Sequence, residues 1–268
     1  MKNTSSHSQI TRRIVQTALF IALALVLRNF STMIYMLGAP GMRISFAPIF
    51  SRMPALLFGP FYGGISAAIV DIIGYLLNPQ GGAYIPLMTL TAILGGVIAG
   101  FLWKGLKNGD TGKIQRALWI IFIAIGAIGI FNYINTLFFP QSPVTEFIEG
   151  IGKNKDFAVL GMVAVSAMGL LLLVLDYAIK KKFPEAAINK YYLKVLLSFG
   201  LGSLTVTVLN TWVLQMFFPE FGQIGFFLFL LPRLVKEIFM MVIQSYIVAF
   251  LLSIYDRLIK SRIEKAEE

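Results

Sequence analysis

Residues 83–103 read AYIPLMTLTAILGGVIAGFLW, without one charged side chain. A helix needs about 20 mostly apolar residues to cross the hydrocarbon core of a bilayer. Lipid offers no partners for backbone N–H and C=O groups, so an apolar run of this length must satisfy them internally as a helix. Similar runs lie on both sides, at Ile14–Leu27, Ala117–Phe139, Phe157–Ile179, Leu193–Phe218 and Ile224–Ile254. The stretch Ile44–Leu77 is too long for one span. Gly59-Pro60 interrupts it, and proline disfavours a continuous helix there. Two helices are expected in that stretch, the first of them short. The reading is an all-α integral membrane protein with about eight membrane helices, the whole of 1–268 forming one transmembrane domain.

The composition agrees. Charged residues make up 13% of the chain and hydrophobic ones 57%, whereas a soluble domain carries about a quarter charged residues. The formal net charge of +10 is accounted for by Lys and Arg at membrane edges, which argues against nucleic acid as a partner. Without cysteine there is no disulfide, thiolate metal site or thiol nucleophile, and the only histidine is His7 in the polar tail. No cofactor or metal is called for. Lys2–Arg28 has the look of a signal peptide but lacks a clear cleavage site, so it is read as a retained first helix.

Basic residues alternate between connections. Lys2, Arg12 and Arg13 precede the first helix. Lys104, Lys107, Lys113 and Arg116 follow the fourth, and Lys180, Lys181, Lys182, Lys190 and Lys194 follow the sixth. Arg257, Lys260, Arg262 and Lys265 end the chain. In an eight-helix model all of these fall on one side. The opposite connections hold only Arg28, Arg43, Lys153 and Lys155, with Glu146, Glu149 and Asp156 beside the two lysines. The positive-inside rule then places both termini in the cytoplasm of a bacterial cell and the protein in its plasma membrane.

Charged groups at membrane depth are costly and often functional. On a 1.5 Å rise, Asp71, Asn210, Trp212 and Arg233 fall about 9–13 Å below the outer ends of their helices. That shared level points to a polar pocket open to the outside, with Arg43 in the long first connection placed to cover it. Structural readings stand beside this one. Arg233 and Glu237, four apart, can neutralise each other. Lys236 can face a neighbouring helix, Asn210 can bridge two helices, and Trp212 can belong to the interfacial aromatic belt. Asp71 and Arg233 together favour a ligand or ion. Asp176 with Lys180 reads as an edge pair. The loop Asn78-Pro79-Gln80-Gly81-Gly82-Ala83 is either a plain turn or a lid hinge. Ala18 with Ala22, and Gly96 with Gly100, are small pairs that let helices approach closely.

These features resemble the substrate-binding S component of energy-coupling factor (ECF) transporters, the folate-type S components in particular. The resemblance is carried by Ala18-Leu-Phe-Ile-Ala22, by Phe58-Gly59-Pro60-Phe61-Tyr62-Gly63-Gly64, by Asp71-Ile-Ile-Gly74 and by Asn78-Pro-Gln-Gly-Gly-Ala83. Thr91-Ala-Ile-Leu-Gly95-Gly96, Leu209-Asn210-Thr211-Trp212 and Leu231-Pro232-Arg233-Leu-Val-Lys236 continue it. It covers about 10–105 and 190–258 and implies a six-helix bundle, with 106–189 as an inserted helical pair. It also implies a vitamin ligand held near the outer face, a transmembrane T component and two ATPase subunits as partners, and the small face at Ala18 and Ala22 as the docking surface for the T component. For a folate, Asp71 would pair with the donor edge of the pterin, Trp212 would stack on its ring, and Arg43, Arg233 or Lys236 would receive glutamyl carboxylates.

Two other functions compete. A self-sufficient secondary transporter would couple Asp71 or Glu237 to protons or sodium. A membrane enzyme finds no zinc motif and no Ser-His-Asp set.

Overall fold

The computed structural model describes residues 2–79, 83–150, 160–184, 186–223 and 225–267, with the backbone alone for 2–7, 147–150, 187 and 259–267. Lys153, Lys155, Asp156 and the central Gln80-Gly81-Gly82 of the expected lid turn lie outside the described residues. So do Phe157 and Ile224, where two spans were expected to begin, and the side chains of Glu149, Lys260, Arg262 and Lys265.

The chain folds as two compact units, one built from 1–108 and 190–268, the other from 109–189. The first begins with helix α1 (Lys2–Asn29) and a hairpin of β1 (Thr32–Met36) and β2 (Ala39–Ile44). Leu37 (φ 50) and Gly38 (φ 83) form its two-residue turn. Positive φ at both centres is what a tight hairpin with right-handed strand twist requires.

Three helices follow from the stretch that was too long for one span: α2 (Pro48–Ser51), α3 (Met53–Phe58) and α4 (Pro60–Leu77). Gly59 ends α3 at φ 102, a backbone conformation open to glycine, and Pro60 starts α4 at its first position, where the missing N–H is harmless. The expected short helix is therefore broken in two at Arg52 and cannot span the bilayer alone. Then come α5 (Pro86–Leu106), α9 (Tyr192–Phe217), the short α10 (Pro219–Gly222) and α11 (Phe226–Glu267). The other unit contains α6 (Thr111–Phe138), α7 (Pro143–Gly150) and α8 (Met162–Lys182).

Seven helices among the described residues are long and apolar enough to cross a membrane. The broken α2–α3 segment stands where the eighth membrane helix was expected, and the fold is that of an all-α membrane protein.

Packing inside the first unit sets the direction of each helix. Arg28 at the end of α1 lies against Gly74 near the end of α4, so these two run the same way. Gly63 meets Gly96 and Pro60 meets Gly100, so α4 and α5 are antiparallel, and the expected small pair on α5 is what admits α4. Gly95 meets Gly202, and Lys194 donates to the Lys107 carbonyl at 3.1 Å, making α5 and α9 antiparallel. Gly200 against Met241, and Tyr192 against Tyr246, make α9 and α11 antiparallel. The start of α1 and the end of α11 therefore share one end of this unit. Its core includes Phe199, Phe221, Phe229 and Val248, all essentially inaccessible.

In the other unit, Ser166 on α8 donates to the Phe122 carbonyl at 2.6 Å, and Gly126 and Gly129 admit Ser166 and Val163 at close range. Asp176 is buried and paired with Lys180 at 2.6 Å.

Candidate functional site

The half of the first unit remote from the chain ends holds a partly open cavity of about 320 Å³, within the range that binds small organic ligands. The hairpin, α2, α4, α5, α9 and α11 all contribute to its walls. Five basic side chains face two carboxylates: Arg28, Arg43, Arg52, Arg233 and Lys236 against Asp71 and Glu237.

Asp71 on α4 is already well engaged. Arg28 Nη1 donates to Oδ1 at 3.0 Å and the Thr89 hydroxyl donates to Oδ2 at 2.6 Å. Thr89 has one hydroxyl proton, so the 2.7 Å contact with Tyr84 must have the phenol as donor. The result is a directed chain, Tyr84 to Thr89 to Asp71, met from the other side by Arg28.

Asn210 on α9 lies 2.5 Å from Thr91 Oγ1, which also lies 2.8 Å from the Met88 carbonyl. One proton cannot serve both oxygens. The shorter contact has the Thr91 hydroxyl donate to Asn210 Oδ1, which engages that oxygen and ties α5 to α9 beside the cavity.

On α11, Arg233 is 7% exposed. Its Nη1 donates to the Gly41 carbonyl of the hairpin, its guanidinium lies over Phe229, and its Nε has no hydrogen-bond partner. Glu237 pairs with Lys236 at 2.6 Å. The salt bridge of Glu237 thus goes to Lys236; its charge still acts on Arg233 from further away, and the Arg233 hydrogen bond goes to a neutral oxygen. Gln244, further along the helix, donates to the Ser45 carbonyl at 2.8 Å. Together Arg233 and Gln244 moor β2 along α11.

Arg43, opposite Met33 in the hairpin register, also has an Nε without a partner. Burial lowers its pKa to about 10, helped by the nearby charge of Arg28 and opposed by Asp71. It remains a cation at neutral pH. Cations with unspent donors in such a recess are suited to an anionic or oxygen-rich ligand.

Of the side chains singled out in the sequence, the structure gathers Arg43, Asp71, Asn210, Arg233 and Lys236 around this cavity. It does not bring Trp212 there: that side chain is 56% exposed and turned outward. Residues two apart on a helix point about 200° apart, so Asn210 and Trp212 cannot share a face. Sequence reasoning also passed over Arg28, which looked like a loop edge, and Arg52. Ala18 and Ala22 lie on the exposed side of α1, while Thr17, Ile21 and Ala24 turn inward.

Comparison with known proteins gives a consistent identity. The family described as ECF transporter, substrate-specific component, matches residues 12–252. A folate transporter, FolT, of Clostridium novyi (strain NT) is 33% identical over 116 residues, covering 43% of this chain and 62% of the relative. The chain thus spans less than two thirds of that transporter's length. An uncharacterized protein from the gap 3' region of Pyrococcus woesei is 29% identical over 133 residues, covering 48% of this chain and 81% of the relative. No solved structure gives a significant match. The chain is a multi-pass membrane protein that belongs to the substrate-specific component family of ECF transporters, a family of transport subunits rather than enzymes.

Proposed function

We propose that this subunit captures folate or a closely related vitamin at the outer face of a bacterial cell membrane and delivers it to an energising module of one T component and two ATPases. The observation that carries the reading is the cavity in which five basic side chains outnumber two carboxylates, in a chain similar to a folate transporter. Folate offers what that cavity lacks: carboxylates for Arg43, Arg233 and Lys236, and a flat ring for its apolar walls. Asp71, held by Arg28 and Thr89, keeps lone pairs for a donor edge. Asn210, on the cavity wall, adds a polar amide near the same edge. The ring stacking first assigned to Trp212 passes to the cavity's own walls, where Tyr75, Tyr84 and Met88 stand.

Ala18 and Ala22, exposed and small on α1, form the proposed docking face for the T component. We take 106–189, most of which forms the second compact unit, as the insertion, and on our reading both termini are in the cytoplasm.

Uptake of labelled folate into proteoliposomes tests the whole reading. Transport is expected only when this chain, a T component and both ATPases are present with ATP. Uptake by this chain alone under an ion gradient would establish the secondary-transporter reading instead.

A further inference from the structure

Arg52, between α2 and α3, is a cation at the floor of the cavity. The residue is 9% exposed. Nη1 donates to the Phe199 carbonyl at 2.9 Å and to the Ser203 hydroxyl, and the guanidinium lies 4.5 Å over the Phe199 ring. Among the described residues, the ion pairs are Arg28–Asp71, Lys180–Asp176 and Lys236–Glu237, and Arg52 is in none of them.

Helix α5 measures its depth. A Cβ on Gly95 would come within 3.5 Å of Arg52 Nη2, while Thr89 on the same helix holds Asp71. Six residues of helix separate the two, about 9 Å at the usual rise. The cavity therefore has cations at two levels: Arg28 and Arg43 beside Asp71, and Arg52 well below them.

A guanidinium is a planar fork of five donors. Helix α9 fixes one edge of this fork with two neutral oxygens. The side chain still lines the cavity, and its charge meets no carboxylate at salt-bridge distance, Glu237 acting on it only from further away. Burying such a group is costly unless a good acceptor reaches it, and a ligand standing lengthwise in the cavity would supply one.

We propose that Arg52 is a specificity-determining residue that takes an oxygen acceptor at the deep end of the transported molecule, the other end lying in the Arg28–Arg43 layer. The choice of probes rests on the folate reading; the chemistry, a carbonyl or carboxylate oxygen on a fixed guanidinium, does not. If Arg52 is only a clamp between α3 and α9, its replacement changes stability and leaves ligand preference alone.

Affinities of purified wild type, Arg52→Gln and Arg52→Lys are measured for three probes. These are folate, aminopterin (an amino group in place of the ring carbonyl) and pteroate (no glutamyl carboxylates). Wild type is expected to prefer folate to one analogue, and that preference should shrink roughly ten- to a hundredfold in Arg52→Gln, the scale of one charge-assisted hydrogen bond. Collapse of the folate–aminopterin preference identifies a ring carbonyl at the floor; collapse of the folate–pteroate preference identifies a carboxylate. Arg52→Lys keeps the charge without the fork and gives the same test if the glutamine variant does not fold. Binding without any preference in wild type, or preferences unchanged in the variants that fold, overturns the proposal. If wild type binds none of the three, the folate reading falls by itself. Arg52 is then judged with acetate at constant ionic strength, which should raise the melting temperature of wild type more than that of either variant; equal shifts overturn it.

Discussion

The guanidinium of Arg28 reaches the Asp71 carboxylate at 3.0 Å by lying across Gly74, where any Cβ would collide with it. One turn of α4 thus supplies both the acid and the seat for its partner. Both side chains are largely buried, 12% and 20% exposed, so the pair is shielded from water. Gly74→Ala should displace Arg28, and Asp71→Asn should leave it unpaired. Each is expected to destabilise the ligand-free protein by about 1.5–3 kcal/mol, the scale of a hydrogen bond to a charged group. Melting curves in detergent check this; unchanged curves for both would show that the pair contributes nothing.

Leu37 occupies the left-handed region at φ 50 on the tip of the hairpin and is 65% exposed. An L residue with a branched side chain is strained there by about 1–2 kcal/mol. Asparagine tolerates that conformation and is the preferred partner of a following glycine in this turn. Leu37→Asn is expected to raise the melting temperature and leave ligand affinity unchanged, because the side chain lies outside the cavity walls. A lower melting temperature would mean that the exposed leucine makes a contact worth more than the strain.

The sidedness of the first unit follows from its helix directions. Leu37 sits at the cavity end and Lys107 at the end shared by the chain termini. Single cysteines at these positions should behave oppositely in intact cells: an impermeant thiol reagent should label 37 and spare 107. The reverse pattern would place the cavity on the cytoplasmic side.

The exposed small pair on α1 has a separate test. Ala18→Trp or Ala22→Trp should block uptake by the assembled transporter while leaving ligand binding by the isolated subunit intact, since neither residue touches the cavity. Normal uptake in both variants would remove the docking face, and lost binding would assign the pair to internal packing.

Membrane helices and their order were legible because a long apolar run in lipid has only one way to satisfy its backbone. That Asp71, Asn210 and Arg233 gather at one cavity was legible from helix rise, which converts position into height. Direction around a helix was harder. A pocket-facing Asn210 forces Trp212 outward, and a composition apolar on every face gives no stripe from which to read this. Arg52 was hidden differently. It lies inside a run read as one short helix, and only the break between α2 and α3 turns it onto α9. Arg28 looked like a chain edge because its partner is far away in sequence. Glu237 forms its salt bridge with Lys236 rather than Arg233, whose hydrogen bond goes to the hairpin carbonyl of Gly41, a tertiary contact that no local pattern announces.

The central claim is that the cavity binds a folate through its surplus cations. Arg43 tests it most directly, because its Nε has no hydrogen-bond partner to lose and its replacement should cost little stability. Titration of purified wild type and Arg43→Gln with folate, followed by calorimetry, is the measurement. The account predicts saturable binding by wild type and a loss of affinity of roughly ten- to a hundredfold in the variant, with melting curves of the ligand-free proteins nearly superimposed. Absence of folate binding by well-folded wild type would contradict the folate assignment, and equal affinity in the two proteins would remove Arg43 from the site.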